Sequence, residues 1–227
     1  MTEQVTRRER YRLQTIDEIK TLAMEQVSSA GVAAVSLNAI ARSMAMSPGA
    51  LYRYFDNRDE LLAELAVDAY NALADALEHV APHGVSSAAR LTAVAEGYRQ
   101  WAVRQPNTYR LIFENPAGSG EEFASEPITR AAQRSMDVFL QVLSEFDPPP
   151  EDGSTAVLEQ QIAVWAARSS HSRLSTGTLR LGLSWWARLH GLVSLELGGH
   201  LRATGIDPHL LYQSEIQALV GQLQRKT

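Results

Sequence analysis

The sequence predicts an all-α protein of about nine helices, with a small N-terminal three-helix head on a larger helical body. Apolar residues recur every three or four positions along most of the chain, which is the period of an amphipathic helix. Capping residues or prolines precede these stretches, and glycine or proline follows several of them. The chain contains no alternating apolar and polar stretch typical of a strand, and no internal repeat.

Residues 7–30 are predicted to form the first helix, and Gly31 ends it as a C′ residue. Its buried stripe is predicted to contain Leu13, Ile16, Ile19, Ala23 and Val27. Arginines at 7, 8, 10 and 12 precede this stripe. They are either a flexible arm that reaches phosphate or the minor groove, or a solvated basic tail.

Residues 36–62 predict two short helices around a tight turn, followed directly by a third helix. Ser36 and Ser47 are N-cap candidates, and Pro48 stands at a first helical position, where a missing N–H costs nothing. Leu51 and Phe55 are expected to face the core. Two short helices separated by one turn form a helix-turn-helix, whose second helix lies in the DNA major groove.

The remaining chain predicts a helical body. Asp56 is expected to cap a long helix that Pro82 and Gly84 end. Further helices are predicted to begin at Ser86 or Ser87, at Pro106, at Pro127, near residue 154, near residue 178 and at Pro208, with loops at 115–125 and 147–153.

Composition excludes several classes of protein. The 227 residues include no cysteine, which rules out disulfides and thiolate metal sites and fits a reducing cytoplasm. The charged N-terminus is not a secretory signal, and no apolar run approaches the roughly 20 residues that span a bilayer. No catalytic motif, metal-ligand cluster or cofactor site is found. Residues 1–58 hold eight Lys/Arg and six Asp/Glu, whereas residues 59–227 hold 13 and 20, so a mildly basic head precedes an acidic body.

The run Ala-Leu-Tyr-Arg-Tyr-Phe-Asp-Asn-Arg-Asp-Glu-Leu-Leu, at 50–62, resembles the signature of the TetR (tetracycline-repressor-like) regulators, and the likeness covers residues 10–65. The segment 186–197 is similar to the Trp…His-Gly signature of one C-terminal subgroup, and 98–113 to the start of that body domain. This resemblance implies a DNA-binding domain at 7–60 and an effector-binding and dimerisation domain at 61–227.

The resemblance also implies which head residues meet DNA. Candidates for base edges are Asn38, Pro48, Gly49, Ala50, Tyr52 and Arg53, and candidates for phosphate are Ser36, Ser47, Tyr52, Tyr54 and Arg58. Asn38 suits adenine and Arg53 suits guanine. The turn position usually occupied by glycine is Ala45 here, and we expect a negative φ at this residue.

For the body, the resemblance implies an effector pocket, with candidates Tyr98, Trp101, Tyr109, Phe113, Phe139, Trp165, Trp186 and His190. Aromatic residues at helical spacing also suit a plain core. We expect His190 to be either a packed histidine with a hydrogen-bond partner or an interface residue rather than a ligand contact, and we expect His171 to be exposed. The last two helices predict a four-helix dimer interface through Leu189, Leu192, Leu195, Ile216, Leu219 and Leu223.

The predicted function is ligand-responsive transcriptional regulation. The homodimer would bind a palindromic double-stranded operator, and a small apolar or aromatic effector would release it. The resemblance implies that the bound protein acts as a repressor. Two alternatives stay open at this point: a helical dimerisation or interaction module without an effector, and an enzyme.

Overall fold

The computed structural model describes residues 6–81, 84–114, 125–146, 156–167 and 171–224. Within these ranges there are ten α-helices and no strand, which confirms the all-α prediction. The predicted loops, apart from Ser125, and Pro82 lie outside the described residues. The helices are α1 (Arg7–Ala30), α2 (Leu37–Ser43), α3 (Pro48–Leu51), α4 (Arg58–Val80), α5 (Ser87–Arg104), α6 (Pro106–Phe113), α7 (Glu126–Ser144), α8 (Ala156–Ala167), α9 (Thr176–Leu197) and α10 (Pro208–Gln224).

The chain divides into two compact units. Unit 1 comprises the chain up to Tyr70 together with residues 105–129, and unit 2 comprises residues 71–104 and 130–227. The division falls inside α4, and α6 belongs to unit 1. The limits predicted from sequence, 7–60 and 61–227, stay a prediction.

Unit 1 is built around apolar residues from α1, α2, α3 and α4, with Leu111 of α6 in the same core. Hydrogen bonds also hold α6 in place. Asn107 Nδ2 donates to the carbonyl oxygen of Ser28 at 2.9 Å, and the hydroxyl of Tyr70 donates to the carbonyl oxygen of Ile112 at 3.0 Å. Unit 1 therefore contains a fifth helix that lies far from the other four in the sequence.

Helix α1 begins at Arg7, as predicted, but its buried stripe begins later than predicted. Leu13 is 56% exposed and Ile16 is partly buried, whereas Ile19, Ala23 and Val27 are buried. The first two turns of α1 therefore have no apolar neighbour to cover them, although the periodicity of the stripe continues through them.

The N-cap of α4 is Asn57, not Asp56 as predicted. Asn57 Oδ1 accepts the backbone N–H of Glu60 at 2.8 Å, and Glu60 Oε2 accepts the backbone N–H of Asp56 at 2.6 Å. These two hydrogen bonds satisfy the amide of Glu60 in the first turn and the amide of Asp56 just before the cap, and they fix where α4 begins.

Unit 2 packs α5 against α9 and α10. The hydroxyl of Tyr212 donates to the carbonyl oxygen of Ala95 at 2.7 Å, and Arg99 forms a two-pronged ion pair with Glu196 at 2.6 and 2.8 Å. Gly97 permits close packing, because a Cβ there would lie 2.5 Å from Val80 Cγ2.

A second polar cluster in unit 2 joins α7 to the C-terminal half of α4. Arg134 Nη2 lies 2.5 Å from Asp75 Oδ1 and 2.8 Å from Glu78 Oε2. Hydrogen bonds to these two carboxylates raise the pKa of Arg134 above its ordinary value. Among the described helices, none is both long and apolar enough to cross a membrane.

Candidate nucleic-acid interface

The turn after α2 is a Schellman motif with an alanine at its left-handed position. The backbone N–H of Met46 donates to the carbonyl oxygen of Ala41 at 2.8 Å, and that of Ala45 donates to Arg42 at 3.1 Å. Ala45 has φ +54°, so the expectation of a negative φ is wrong. The reason is the paired 6→1 and 5→2 hydrogen bonds, which close only when the C′ residue is left-handed.

Both predicted N-cap serines cap their helices. Ser36 Oγ accepts the backbone N–H of Ala39, and Ser47 Oγ accepts that of Ala50, each at 3.3 Å. A hydroxyl group that accepts at a cap still has its own O–H to donate. Both serines therefore remain able to donate to a phosphate oxygen.

Helix α3 ends at Leu51, because the backbone that follows it tightens. The backbone N–H of Arg53 donates to Ala50 and that of Tyr54 donates to Leu51, both i→i−3 bonds, at 3.3 and 2.9 Å. We call residues 48–54, which comprise α3 and this tightened turn, the reading segment. Leu51 and Phe55 are buried in the unit 1 core, as expected.

Three polar side chains face outward from this core. Asn38 of α2 is exposed, as are Tyr52 (45%) and Arg53 of the reading segment. None of the three forms a side-chain hydrogen bond or ion pair with another described residue. They are consequently available to an external partner without breaking any contact in the fold.

The remaining candidates on the reading segment are small or partly buried. Pro48 and Gly49 are exposed, and Ala50 is partly buried. A Cβ added to Gly49 would meet no atom within 4 Å, so packing does not require glycine there. Tyr54 is partly buried against the unit 1 core, which leaves only part of its ring and hydroxyl for contacts with DNA.

Arg58 has a structural role that the sequence did not indicate. Its Nε donates to the carbonyl oxygen of Val35 at 3.1 Å, and its Nη2 donates to the carbonyl oxygen of Val32. The guanidinium thus ties the start of α4 to the 3-10 turn Val32–Ala34 that follows α1. Two of the five N–H donors of Arg58 thus serve backbone carbonyls, and the prediction that Arg58 contacts phosphate stays a prediction.

The body aromatics divide into separate groups. In unit 2, Tyr98 and Phe139 meet edge to face at 6.2 Å, the Tyr98 hydroxyl lies 3.1 Å from His190 Nδ1, and His190 stacks on Trp186 at 5.1 Å. These four residues form one cluster, which we call the α5–α7–α9 cluster. The packed, hydrogen-bonded state expected for His190 agrees with this geometry.

The other predicted pocket residues lie elsewhere. Tyr109 and Phe113 belong to α6 of unit 1, and their rings are tilted against each other with centroids 4.9 Å apart. Trp165 contacts His171, with ring centroids 5.0 Å apart. Trp101 is buried on α5, and its indole N–H has no acceptor among the described residues.

His171 is buried, with 1% of its surface exposed, although it was predicted to be exposed. Its Nε2 lies 2.5 Å from Asp137 Oδ1 of α7, and Trp165 covers its ring. A carboxylate and an aromatic neighbour from two other helices thus bury a histidine whose sequence surroundings suggested a loop.

Four of the six predicted interface residues are not available to a partner subunit. Leu189, Ile216, Leu219 and Leu223 are buried inside unit 2 of the single chain. Only Leu192, which is partly buried, and Leu195, which is 43% exposed, still present surface. The strongest apolar stripes of α9 and α10 therefore form the core of the protomer, and this part of the prediction is wrong.

Comparison with known proteins bears directly on the head and the body. The pattern of the bacterial regulatory proteins of the tetR family matches residues 19–65, and that of the tetracyclin repressor-like C-terminal domain matches residues 91–219. The subgroup suggested by Trp186, His190 and Gly191 stays a prediction.

Individual relatives agree. The chain is 28% identical over 234 residues to the HTH-type transcriptional regulator Rv1816 of Mycobacterium tuberculosis, with 96% of each chain covered. A solved structure described as a regulatory protein, SCO4313, is 38% identical, covers 95% of this chain and 100% of its own, and has a TM-score of 0.74. A TetR transcriptional regulator from Rhodococcus sp. RHA1 shares the fold, with a TM-score of 0.51 at 18% identity over 98% and 99% of the two chains. The chain is therefore a helix-turn-helix DNA-binding regulator rather than an enzyme, and it belongs to the TetR family of bacterial transcriptional regulators.

Proposed function

We propose that this regulator is a homodimeric repressor that binds a palindromic operator in the cytoplasm and is released from it by a small apolar or aromatic effector. The observation that carries the DNA-reading part is the exposed, unpartnered trio of Asn38, Tyr52 and Arg53 on a fully packed core. Asn38 would bond to adenine and Arg53 to the O6 and N7 of guanine. Ser36 and Ser47 would donate to phosphate.

Specificity would depend on few direct base contacts. Pro48, Gly49 and Ala50 carry no hydrogen-bonding side chain, so the first turn of the reading segment can approach the bases closely but reads them mainly by shape. In a dimer, two such segments would read half-sites about 34–36 Å apart, or a multiple of that distance.

The test is binding of the protein to duplexes from its own promoter, measured by fluorescence anisotropy against a scrambled duplex. Arg53→Ala should weaken operator binding about tenfold to hundredfold, because one bidentate base contact contributes about 1–3 kcal/mol. Arg104→Ala removes an exposed arginine from unit 2 and serves as the matched control. Equal binding of the wild type to operator and scrambled duplexes would refute the proposal.

For dimerisation we propose the outward faces of α9 and α10. On α9 a stripe at intervals of three and four contains Ser184, Arg188, Gly191 and Leu195, and all four are exposed or partly exposed. A Cβ on Gly191 would meet no atom within 4 Å, so this stripe leaves room for a neighbouring helix. The α10 residues at the same spacing are Leu210, Ser214, Gln217 and Gly221.

Leu195→Asp should convert the dimer to a monomer in analytical ultracentrifugation. The matched control is Val164→Asp on α8, since Val164 is 48% exposed and Leu195 is 43% exposed. If Val164→Asp dissociates the dimer and Leu195→Asp does not, the interface lies on α8 instead.

For effector recognition we propose the α5–α7–α9 cluster. It offers aromatic surface together with one polar pair, Tyr98 and His190, and binding sites for small molecules combine these properties. An effector that binds one body geometry more tightly than another shifts the population by that difference in affinity. A ligand that raises the melting temperature should weaken operator binding in the wild type and do so less in Tyr98→Phe. Ligands that stabilise the protein without changing operator affinity would leave the body as a dimerisation module.

A further inference from the structure

A basic groove of about 980 Å³ lies in unit 1, beside the reading segment. One wall is formed by Thr6 and the first turns of α1, and the other by Arg53 and Tyr54 at the end of the reading segment. Its charged lining consists of four arginines and one carboxylate, namely Arg7, Arg8, Arg12, Arg53 and Glu9. The groove is therefore strongly cationic, although the whole chain carries a net charge of −5.

None of the groove arginines forms an ion pair with a residue that the structure describes. Arg8, Arg12 and Arg53 are exposed and have no side-chain partner among the described residues. Elsewhere in the protein, Arg99 and Arg134 are each neutralised by carboxylates. A cluster of unpaired cations repels itself unless an anion binds it, so the arrangement favours an anionic partner.

The position of these charges is fixed by secondary structure. Thr6 Oγ1 accepts the backbone N–H of Glu9 at 3.3 Å and so starts the helix immediately before Arg7. Arg7 also lies over the ring of Tyr11, 5.6 Å from its centroid. The segment from Arg7 onward is thus helical and not the flexible arm considered from the sequence.

The helical conformation of this segment determines which part of DNA its arginines can contact. Arms that read the minor groove are extended segments that insert between the two backbones. Side chains on the exposed face of a helix, beside a segment already in the major groove, instead meet the sugar–phosphate strand that borders that groove. Arg53 stands at the junction of the two surfaces.

We propose that this groove binds the phosphodiester backbone of the DNA strand adjacent to the major groove that the reading segment enters. It would fix the register of the head on DNA and contribute affinity independent of sequence. The proposal rests on the proposed operator binding. The α1 wall precedes residue 19, where the match to the DNA-binding family begins, so that match does not describe it.

The test compares Arg8→Ala, Arg12→Ala and the double variant Arg8→Ala/Arg12→Ala with Arg10→Ala in the full-length protein. Arg10 is an exposed arginine in the same turns of α1 but does not line the groove. All three positions are exposed on a helix, where alanine is the best helix former, so each variant should fold. Binding is measured on operator and scrambled duplexes across a range of salt concentrations.

We expect the double variant to lose about tenfold or more in affinity on both duplexes, which leaves the ratio between them unchanged. The slope of log affinity against log salt should fall by about two, since each phosphate contact contributes about 0.9. Arg10→Ala should stay within about twofold of the wild type. Equal losses in Arg10→Ala and in either groove position alone would indicate diffuse charge attraction and overturn the proposal.

Two further measurements identify the ligand. Replacing single phosphates with neutral methylphosphonates should weaken the wild type at one or two positions and have no effect there in the double variant. Inorganic phosphate at matched ionic strength should not displace the duplex; displacement that requires Arg8 and Arg12 would show a site for small anions and overturn the proposal. If the wild type does not prefer operator over scrambled DNA, the proposed function fails. If the wild type shows this preference but the double variant binds DNA as tightly as the wild type, only the proposed role of the groove is refuted.

Discussion

Replacing Ala45 with glycine should stabilise the protein, although it removes a side-chain atom. Ala45 is exposed, has φ +54° and occupies the C′ position of the Schellman motif that ends α2. The same motif ends α9, where the equivalent residue is Gly199, with φ +74°. One chain thus contains the motif once with alanine and once with glycine.

The magnitude follows from two opposing terms. A left-handed conformation costs an L-residue roughly 1–2 kcal/mol, and glycine removes this cost. Glycine also gains freedom in the unfolded chain, which offsets about 0.4–1 kcal/mol. Because the Cβ of Ala45 is exposed, its burial contributes little, and the net gain in the free energy of unfolding should be about 0.5–1 kcal/mol. For a chain of this size, that gain raises the melting temperature by about 1–4 °C.

Thermal unfolding followed by circular dichroism or calorimetry measures this change at fixed protein concentration, because dimerisation makes the melting temperature depend on concentration. Ala45→Val should destabilise, since a β-branched residue is an outlier at positive φ. Gly199→Ala is the control of opposite sign. An added Cβ there comes no closer than 3.5 Å to any atom it could meet, so its cost of about 1 kcal/mol would be backbone strain rather than a clash.

The reasoning is refuted if Ala45→Gly melts below the wild type while Gly199→Ala costs about 1 kcal/mol, because the two positions share one motif. Operator affinity should stay within about twofold in Ala45→Gly, since φ and the two turn hydrogen bonds are retained. A larger change would mean that the Ala45 methyl group itself contacts DNA.

Three other changes test single residues of unit 1. Gly49→Ala should raise the melting temperature, because alanine is favoured over glycine in a helix by up to about 1 kcal/mol and its Cβ would meet no atom within 4 Å. The same change should weaken operator binding if the backbone approaches the bases at this position. Unchanged operator affinity would remove Gly49 from the interface. Arg58→Ala should lower the free energy of unfolding by about 1.5–3 kcal/mol, because the hydrogen bonds to Val32 and Val35 are lost. Arg58→Lys should restore little of this stability, because lysine lacks the forked donors of a guanidinium. A variant with wild-type stability and weak DNA binding would show that Arg58 acts on phosphate and not on the fold. Burial raises the pKa of Tyr70 from 10.0 to about 12. Because the folded-state pKa of Tyr70 is higher than its unfolded-state pKa, its contribution to stability is fully present below pH 10. Up to about 2 kcal/mol of the free energy of unfolding is lost as the pH rises to 12. Tyr70→Phe should flatten the stability profile between these pH values, after allowance for its lost hydrogen bond to Ile112, and an unchanged slope would contradict the assigned burial.

The local signals in the sequence predicted the reading head well. Serine caps at 36 and 47, proline at 48 and the inward pair Leu51 and Phe55 all appear in the structure as expected, because each depends on neighbours within four residues. The same short range explains why the helices, and the outward direction of Asn38, Tyr52 and Arg53, followed from periodicity and motif.

The sequence could not show which segment of the chain buries each apolar face. Periodicity marked Leu189, Ile216 and Leu219 as apolar faces, but only the packing of α5, α9 and α10 shows that these faces are buried within one chain. Likewise, α6 joins unit 1 through Leu111 and Asn107 although about 80 residues separate Asn107 from its acceptor, Ser28. A spacing rule carries no information on such distant contacts.

The sequence by itself determined the family, the all-α class and the residues that point away from the head. Tertiary structure decided that Arg58 binds backbone carbonyls and that Arg8 and Arg12 meet Arg53 around one groove. The physical reason is the same in both cases: a helix cap is satisfied by residues next to it in the chain, whereas a guanidinium, a carbonyl or an apolar face is satisfied by whichever distant segment the fold brings to it.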